Sequence, residues 1–135
     1  MWSDDPIVRM RAADASEKVS GRNRKLLQPF KSELLGLLGE ATQQELRWHL
    51  AQMVPRLNLS GMQRHRAAKY LREYLKDRSS IVKTFALQAL ADMAQDDAIL
   101  RTEVRSFVDA YARSGTSAMR ARCRKLQRAW HADKT

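Results

Sequence analysis

The chain repeats itself every 37 residues, and few architectures satisfy that constraint. The small polar residues Asn23, Ser60 and Asp97 stand 37 apart, and so do Asp5, Thr42, Ser79 and Thr116. Each carries a side-chain oxygen able to accept from the free amides of a first helical turn. Gln63, three residues after Ser60, supplies the second half of a capping box. Apolar positions keep the same step or twice it. One series holds Leu34, Leu71 and Val108, then Leu37, Tyr74 and Tyr111. The other holds Val8, Val82 and Met119, then Ala12, Ala86 and Cys123, then Ala15, Ala89 and Leu126. Leu46, Leu50 and Met53 join it after a slip of one residue in the entering loop.

Two interleaved series with one period predict a unit of helix, short loop and second helix. The spans are 5–20 with 23–39, 43–57 with 60–77, and 80–95 with 97–113, followed by a seventh helix over 116–131. The units run over about 4–41, 42–78 and 79–115 of a single domain, 1–135. Gly21, Gly61 and Gly115 fall in or beside the turns. Pro29 lies inside the second span, where its missing amide should kink or delay the helix.

Helix pairs of this length, each covering the core of the next, are the signature of an α-solenoid. The stretches "DPIVRMRAADA" and "SSIVKTFALQALADM" resemble the HEAT-like repeat, whose units open with an acidic loop, then Val-Arg, then small residues ending in Ala-Leu. The resemblance extends over nearly the whole chain and is closest in the first and third units. It implies an all-α, right-handed α-α solenoid of three helix pairs plus a C-terminal capping helix. HEAT-like repeats occur in scaffolds, bilin lyase subunits and DNA alkylation-repair proteins, so the resemblance implies a fold and leaves function open.

Charge narrows the choice of partner. Lys and Arg number 25 against 15 Asp and Glu, a net charge of +10. Such a surplus points to an acidic protein, nucleic acid or an anionic membrane surface. No apolar run approaches the roughly 20 residues of a membrane span, and "MWSDDPIVRM" lacks the order of a signal peptide, so a cytoplasmic protein is expected. The single cysteine, Cys123, forms no internal disulfide and belongs to no zinc cluster; on an apolar stripe it reads as a core residue. His49, His65 and His131 lie in different units, with no His-Glu-x-x-His run and no phosphate-cradling glycine loop. Asp96 and Asp97 are better used as a cap. No catalytic, cofactor or metal-binding residue is assigned, and no enzyme activity is expected.

Candidate binding residues come from helix faces. In 60–77 the apolar side carries Met62, Tyr70, Leu71, Tyr74 and Leu75, while His65, Lys69, Arg72 and Lys76, spaced 4, 3 and 4, form a basic line opposite. Arg105 and Arg113 continue it in the next unit, interrupted by Glu103 and Asp109. The last helix carries Arg120, Arg122, Arg124, Lys125 and Arg128, with no acid from Arg113 onward to Arg128. Its stripe Met119, Cys123, Leu126 and Trp130 should dock on the third unit. A polar cap explains the solvation of this helix, whereas phosphate contacts would explain its uniform sign.

Arg9, Arg47, Lys83 and Arg120 form a ladder whose first three members are expected to pair with carboxylates in the preceding loops: Asp4 and Asp5, Glu40, and Asp77. Trp48 is expected at a packed edge. The resulting expectation is a non-catalytic interaction module that binds an acidic protein or peptide through a basic concave helical surface. The alternative is a sequence-independent binder of nucleic-acid backbone. A monomer or a weak homodimer formed through Trp2 fits either.

Overall fold

Six of the seven small polar residues of the 37-residue series sit where they can cap a helix in the computed structural model, which describes residues 1–133. The last two residues of the expected domain, 1–135, lie outside the described residues. Asp5 Oδ1 accepts from the Ile7 amide at 2.9 Å and opens α1 (Pro6–Arg22). Ser60 and Gln63 complete the capping box of α4 (Gly61–Tyr74). Ser79 Oγ caps α5 (Ser80–Met93) through Val82, and Asp97 caps α6 (Ala98–Ser114) through Leu100. Thr116 Oγ1 accepts from the Met119 amide in α7 (Ser117–Asp133). Asn23 accepts from Lys25 and opens a 3-10 stretch, Arg24–Phe30.

Thr42 is the exception. The residue that precedes α3 (Gln44–Met53) is Gln43, which makes no side-chain cap and instead donates from Nε2 to the Pro6 carbonyl at 2.9 Å. The one-residue slip of the second unit is therefore a change of capping residue. Pro29 has the expected effect: residues 24–30 wind as a 3-10 helix and the α-helix, α2 (Lys31–Glu40), begins only after it.

The seven α-helices are joined by short turns and the 3-10 stretches Arg24–Phe30, Val54–Arg56 and Ala94–Asp96, and no strand occurs among the described residues. α1 packs on α3, α3 on α5 and α5 on α7, so the odd-numbered helices form one row. α2 packs on α4, and α4 and α6 each pack on α5. One apolar core runs between them from Ala13 to Leu126 and includes the periodic Leu34, Leu71, Val82, Val108 and Cys123. Leu46, Leu50 and Met53 are buried with them, as the shifted register requires.

Close contacts fix α2 against α4. Gly39 leaves room for the Tyr70 ring, which a Cβ there would meet at 2.6 Å. The Tyr74 hydroxyl donates to the Leu38 carbonyl at 2.5 Å, and burial pushes its pKa up.

The first helix departs from the pattern. Val8 is 48% exposed, although its equivalents Val82 and Met119 are at 0% and 1%. Ala15 is exposed while Ala89 is buried. α1 lies against α3 and the 3-10 stretch, and a groove of about 370 Å³ lies between α1 and that stretch. Trp2 and Phe30 meet over that groove, with ring centroids 6.1 Å apart.

Candidate functional site

α4 presents its basic residues to solvent because its apolar stripe is used up inside. Ala67, Ala68, Leu71 and Tyr74 are buried, whereas His65, Lys69 and Lys76 are exposed. Arg72 is not free: its Nε donates to Glu103 Oε1 of α6 at 2.5 Å. It joins the two helices, and the basic line is left with three open positions. Met62, expected on the apolar side, is instead 87% exposed. It stands three residues before His65, so by angle it heads the basic line.

The same register continues on α6. Ile99, Thr102, Ser106, Asp109 and Arg113 occupy the positions 37 residues after Met62, His65, Lys69, Arg72 and Lys76, and all five are exposed. Ile99 is 87% exposed, matching Met62. The outer lines of α4 and α6 thus carry an apolar side chain in the first turn; the α6 line ends on Arg113 inside the helix, whereas α4 stops at Tyr74 and Lys76 lies in the turn that follows it. Arg105 leaves this line for the α7 side, where its guanidinium lies 5.6 Å from the Trp130 ring centroid.

α7 buries Met119, Cys123 and Leu126 and half-buries Trp130, as its spacing predicts. Burial raises the Cys123 thiol pKa, the direction of an inert core cysteine rather than a nucleophile. Arg120, Arg124, Lys125 and Arg128 are exposed. Arg122 turns back toward α5 and donates to Gln88 Oε1 at 3.3 Å. α7 packs on α5 and α6, and α4 packs on α2 and α5, so the two basic faces belong to different parts of the surface.

The ladder of basic residues has a structural role at Arg47, with a different partner from the expected one. Arg47 donates from Nε to the Ala41 carbonyl at 2.7 Å and from Nη1 to Asp77 Oδ2 at 2.6 Å. Asp77 lies at the other end of the same unit, in the loop that leads into α5, and Glu40 is not involved. The guanidinium also rests 4.8 Å from the Tyr74 ring centroid. Arg9 buries its Nε with no hydrogen-bond partner. Trp48 is partly buried and packs against the core, and His49 places Nδ1 2.5 Å from the Glu45 carbonyl and Nε2 3.2 Å from Asp14 Oδ1.

Polar cavities also occur. One of about 540 Å³ opens between α3 and α5, lined by Arg24, Gln52, Arg56, Gln88, Asp92 and Asp96 among others. Burial raises the Asp92 pKa, opposed by the Gln88 amide, which donates at 2.9 Å, and by Arg24 and Arg122. Arg56 is occupied by Glu17 and Ser20 of α1. Among the described residues no group of three His, Cys, Asp or Glu side chains could hold a metal ion, and no helix is long and apolar enough to cross a membrane.

The sequence reading missed the exposure of Met62 and of Ile99, although the repeat itself aligns them. No family model, no curated protein and no solved structure matches this chain.

Proposed function

We propose that this protein is a non-catalytic interaction module, a right-handed solenoid of three HEAT-like helix pairs with α7 as its cap, that binds an acidic segment of a partner protein. The observation that carries this reading is the ordered surface of α4 and α6. Both outer lines begin with an exposed apolar side chain, Met62 or Ile99, and an exposed cation stands at the far end, Lys76 in the turn after α4 and Arg113 in the last turn of α6. A phosphate backbone offers charge without apolar anchors, whereas a protein segment can offer a hydrophobic residue followed by carboxylates. In HEAT-like repeats the second helices commonly line the concave side, and a preformed surface loses little freedom when the segment binds.

A second reading rests on a separate observation. Between residues 117 and 132, α7 has no carboxylate, and Arg120, Arg124, Lys125 and Arg128 are all exposed. That face suits a nucleic-acid backbone, with affinity that falls steeply as salt rises.

Fluorescence anisotropy separates the two. A labelled peptide with a hydrophobic residue followed by a run of Glu and a labelled random duplex are each titrated over a salt series. The protein reading predicts that the peptide binds, that Met62→Ser with Ile99→Ser weakens it about tenfold, and that Arg124→Glu with Arg128→Glu does not. Duplex binding lost in the α7 variant, with no peptide binding, would reverse the ranking.

A further inference from the structure

Where α5 gives way to α6, a cavity of about 400 Å³ opens beneath α7. Ala91, Ala94 and Val104 supply its apolar lining and the Trp130 indole forms a wall. Both charged residues that line it, Arg101 and Arg105, are cations. Arg101 is fixed by donation from Nη2 to the Gln95 carbonyl at 2.6 Å. Arg105 lies against Trp130, and its Nε is buried with no hydrogen-bond partner.

That unpartnered donor is the unusual feature. Buried polar groups almost always find an acceptor, and leaving one unsatisfied costs about 1–3 kcal/mol. Contact with an indole face compensates a cation only in part. Asp109, one turn further along α6, lines a smaller cavity together with Arg105 and Trp130 and accepts there from Gln127 Nε2 at 2.9 Å, while no ion pair joins it to Arg105 among the described residues. Two guanidiniums at one wall match the paired oxygens of a carboxylate or phosphate. The rest of the cavity, an indole and small aliphatic side chains with Gln95 beside Arg101, is too large for a bare anion and falls in the size range of ligand sites.

We propose that this cavity binds an anion carried on a flat apolar body, with the carboxylate or phosphate held by Arg101 and Arg105 and the body lying on Trp130 over Ala91, Ala94 and Val104. The site is independent of the outer lines of α4 and α6. The same chemistry comes from a free aromatic acid or from a peptide in which an acidic residue adjoins an aromatic one.

Isothermal titration calorimetry with 1-naphthoate, phenyl phosphate, inorganic phosphate and neutral 1-naphthamide tests it. The two aromatic anions should bind at least tenfold more tightly than naphthamide, which lacks the charge, and than inorganic phosphate, which lacks the body. Arg105→Gln should weaken naphthoate about tenfold or more and Arg101→Gln by a similar factor, while Trp2→Ser, in the apolar groove of α1, should leave binding unchanged. Circular dichroism checks that each variant keeps its helices, and Arg105→Lys, which retains the charge without the fork, should fall between wild type and Arg105→Gln. Equal affinity for naphthoate and naphthamide, no effect of Arg105→Gln, or no heat from either aromatic anion at millimolar concentration would overturn the proposal. A Glu-Phe peptide that binds tenfold more tightly than naphthoate identifies a protein as the source; a weaker peptide identifies a free acid.

Discussion

α1 and α7 stand at the two ends of the odd-numbered row, and they finish it in opposite ways. α7 buries its apolar stripe and turns Arg120, Arg124, Lys125 and Arg128 outward. α1 buries little besides Ala13 and Ser20 and leaves Ile7, Val8 and Val19 about half exposed. α1 does expose charge, at Arg11, Lys18 and Arg22, but its half-exposed aliphatic side chains stand among those charges, which α7 avoids by burying its stripe. The difference shows that a repeat period fixes the phase of a helix but not its neighbours. Val8, Val82 and Met119 occupy one position of the pattern, and burial follows from what packs beside each.

The largest effect should come from that trio. Met119→Ala removes a buried side chain and should cost about 2–5 kcal/mol, while Val8→Ala should stay within about 0.5 kcal/mol. Urea unfolding of both variants measures the contrast. A loss at Val8 that grows with protein concentration would mean that the α1 face is covered by a second copy, and the two ends would then be alike in the assembly.

Two glycines sharpen the comparison by a smaller amount. Gly115 joins α6 to α7, and a Cβ there would meet the Tyr111 carbonyl oxygen at 2.7 Å and Met119 Cβ at 2.9 Å. Gly115→Ala should cost about 1–3 kcal/mol because backbone must move. Gly36, inside α2, has nothing within 4 Å of its Cβ position. Gly36→Ala should therefore raise stability by about 0.5–1 kcal/mol through helix propensity alone. A gain at both positions would show that the α6–α7 turn relaxes as readily as the open N-terminal part, removing the contrast.

These contrasts also mark what the sequence could convey. Caps were legible at six positions because a cap is a local bond between residues two or three apart, and Pro29 was legible because its missing amide acts within its own helix. The pairing of Arg47 with Asp77 was not, because it joins the first helix of a unit to the loop at that unit's far end and depends on how α3 meets that loop. Met62 was misplaced by its apolarity: its angle puts it with His65 and Lys69, and no neighbour covers that side of α4. Of the candidate site residues, the exposed cations of α4 and α7 could be read from helix spacing. The engagement of Arg72 with Glu103 and the seating of Arg105 beside Trp130 arise only when α6 is laid against α4 and α7.

The capping series gives the next test. Asp97→Ala removes an acceptor 3.0 Å from the Leu100 amide and should cost about 1 kcal/mol. Thr42→Ala, at the same kind of position in the pattern, should change stability by no more than a few tenths of a kcal/mol, since Gln43 precedes α3. Thermal unfolding of the pair reads the difference. Equal losses would restore Thr42 to the capping series and make the second unit regular.

The smallest effect concerns the joint between α1 and α3. Asp14 is held below the usual carboxylate range by the Lys18 ammonium, which donates at 2.9 Å; partial burial acts the other way, and His49 of α3 adds to the lowering. A carboxylate with a depressed folded-state pKa binds fewer protons in the native than in the unfolded chain. Its contribution is therefore present above the unfolded value of about 3.8 and is lost as pH falls through the folded one. Asp14→Asn removes this term, so the difference in stability between wild type and variant should shrink as the solution is acidified from pH 5 to pH 2.5. The change is small because Asp14 and Lys18 are largely solvated and screened. A flat difference curve would mean that the ion pairs contribute nothing to the joint, leaving α1 held by Ala13, Ser20 and the Arg56 bonds. A difference that widens with acid would mean that partial burial outweighs Lys18 and His49, and that the carboxylate strains the joint it was expected to secure.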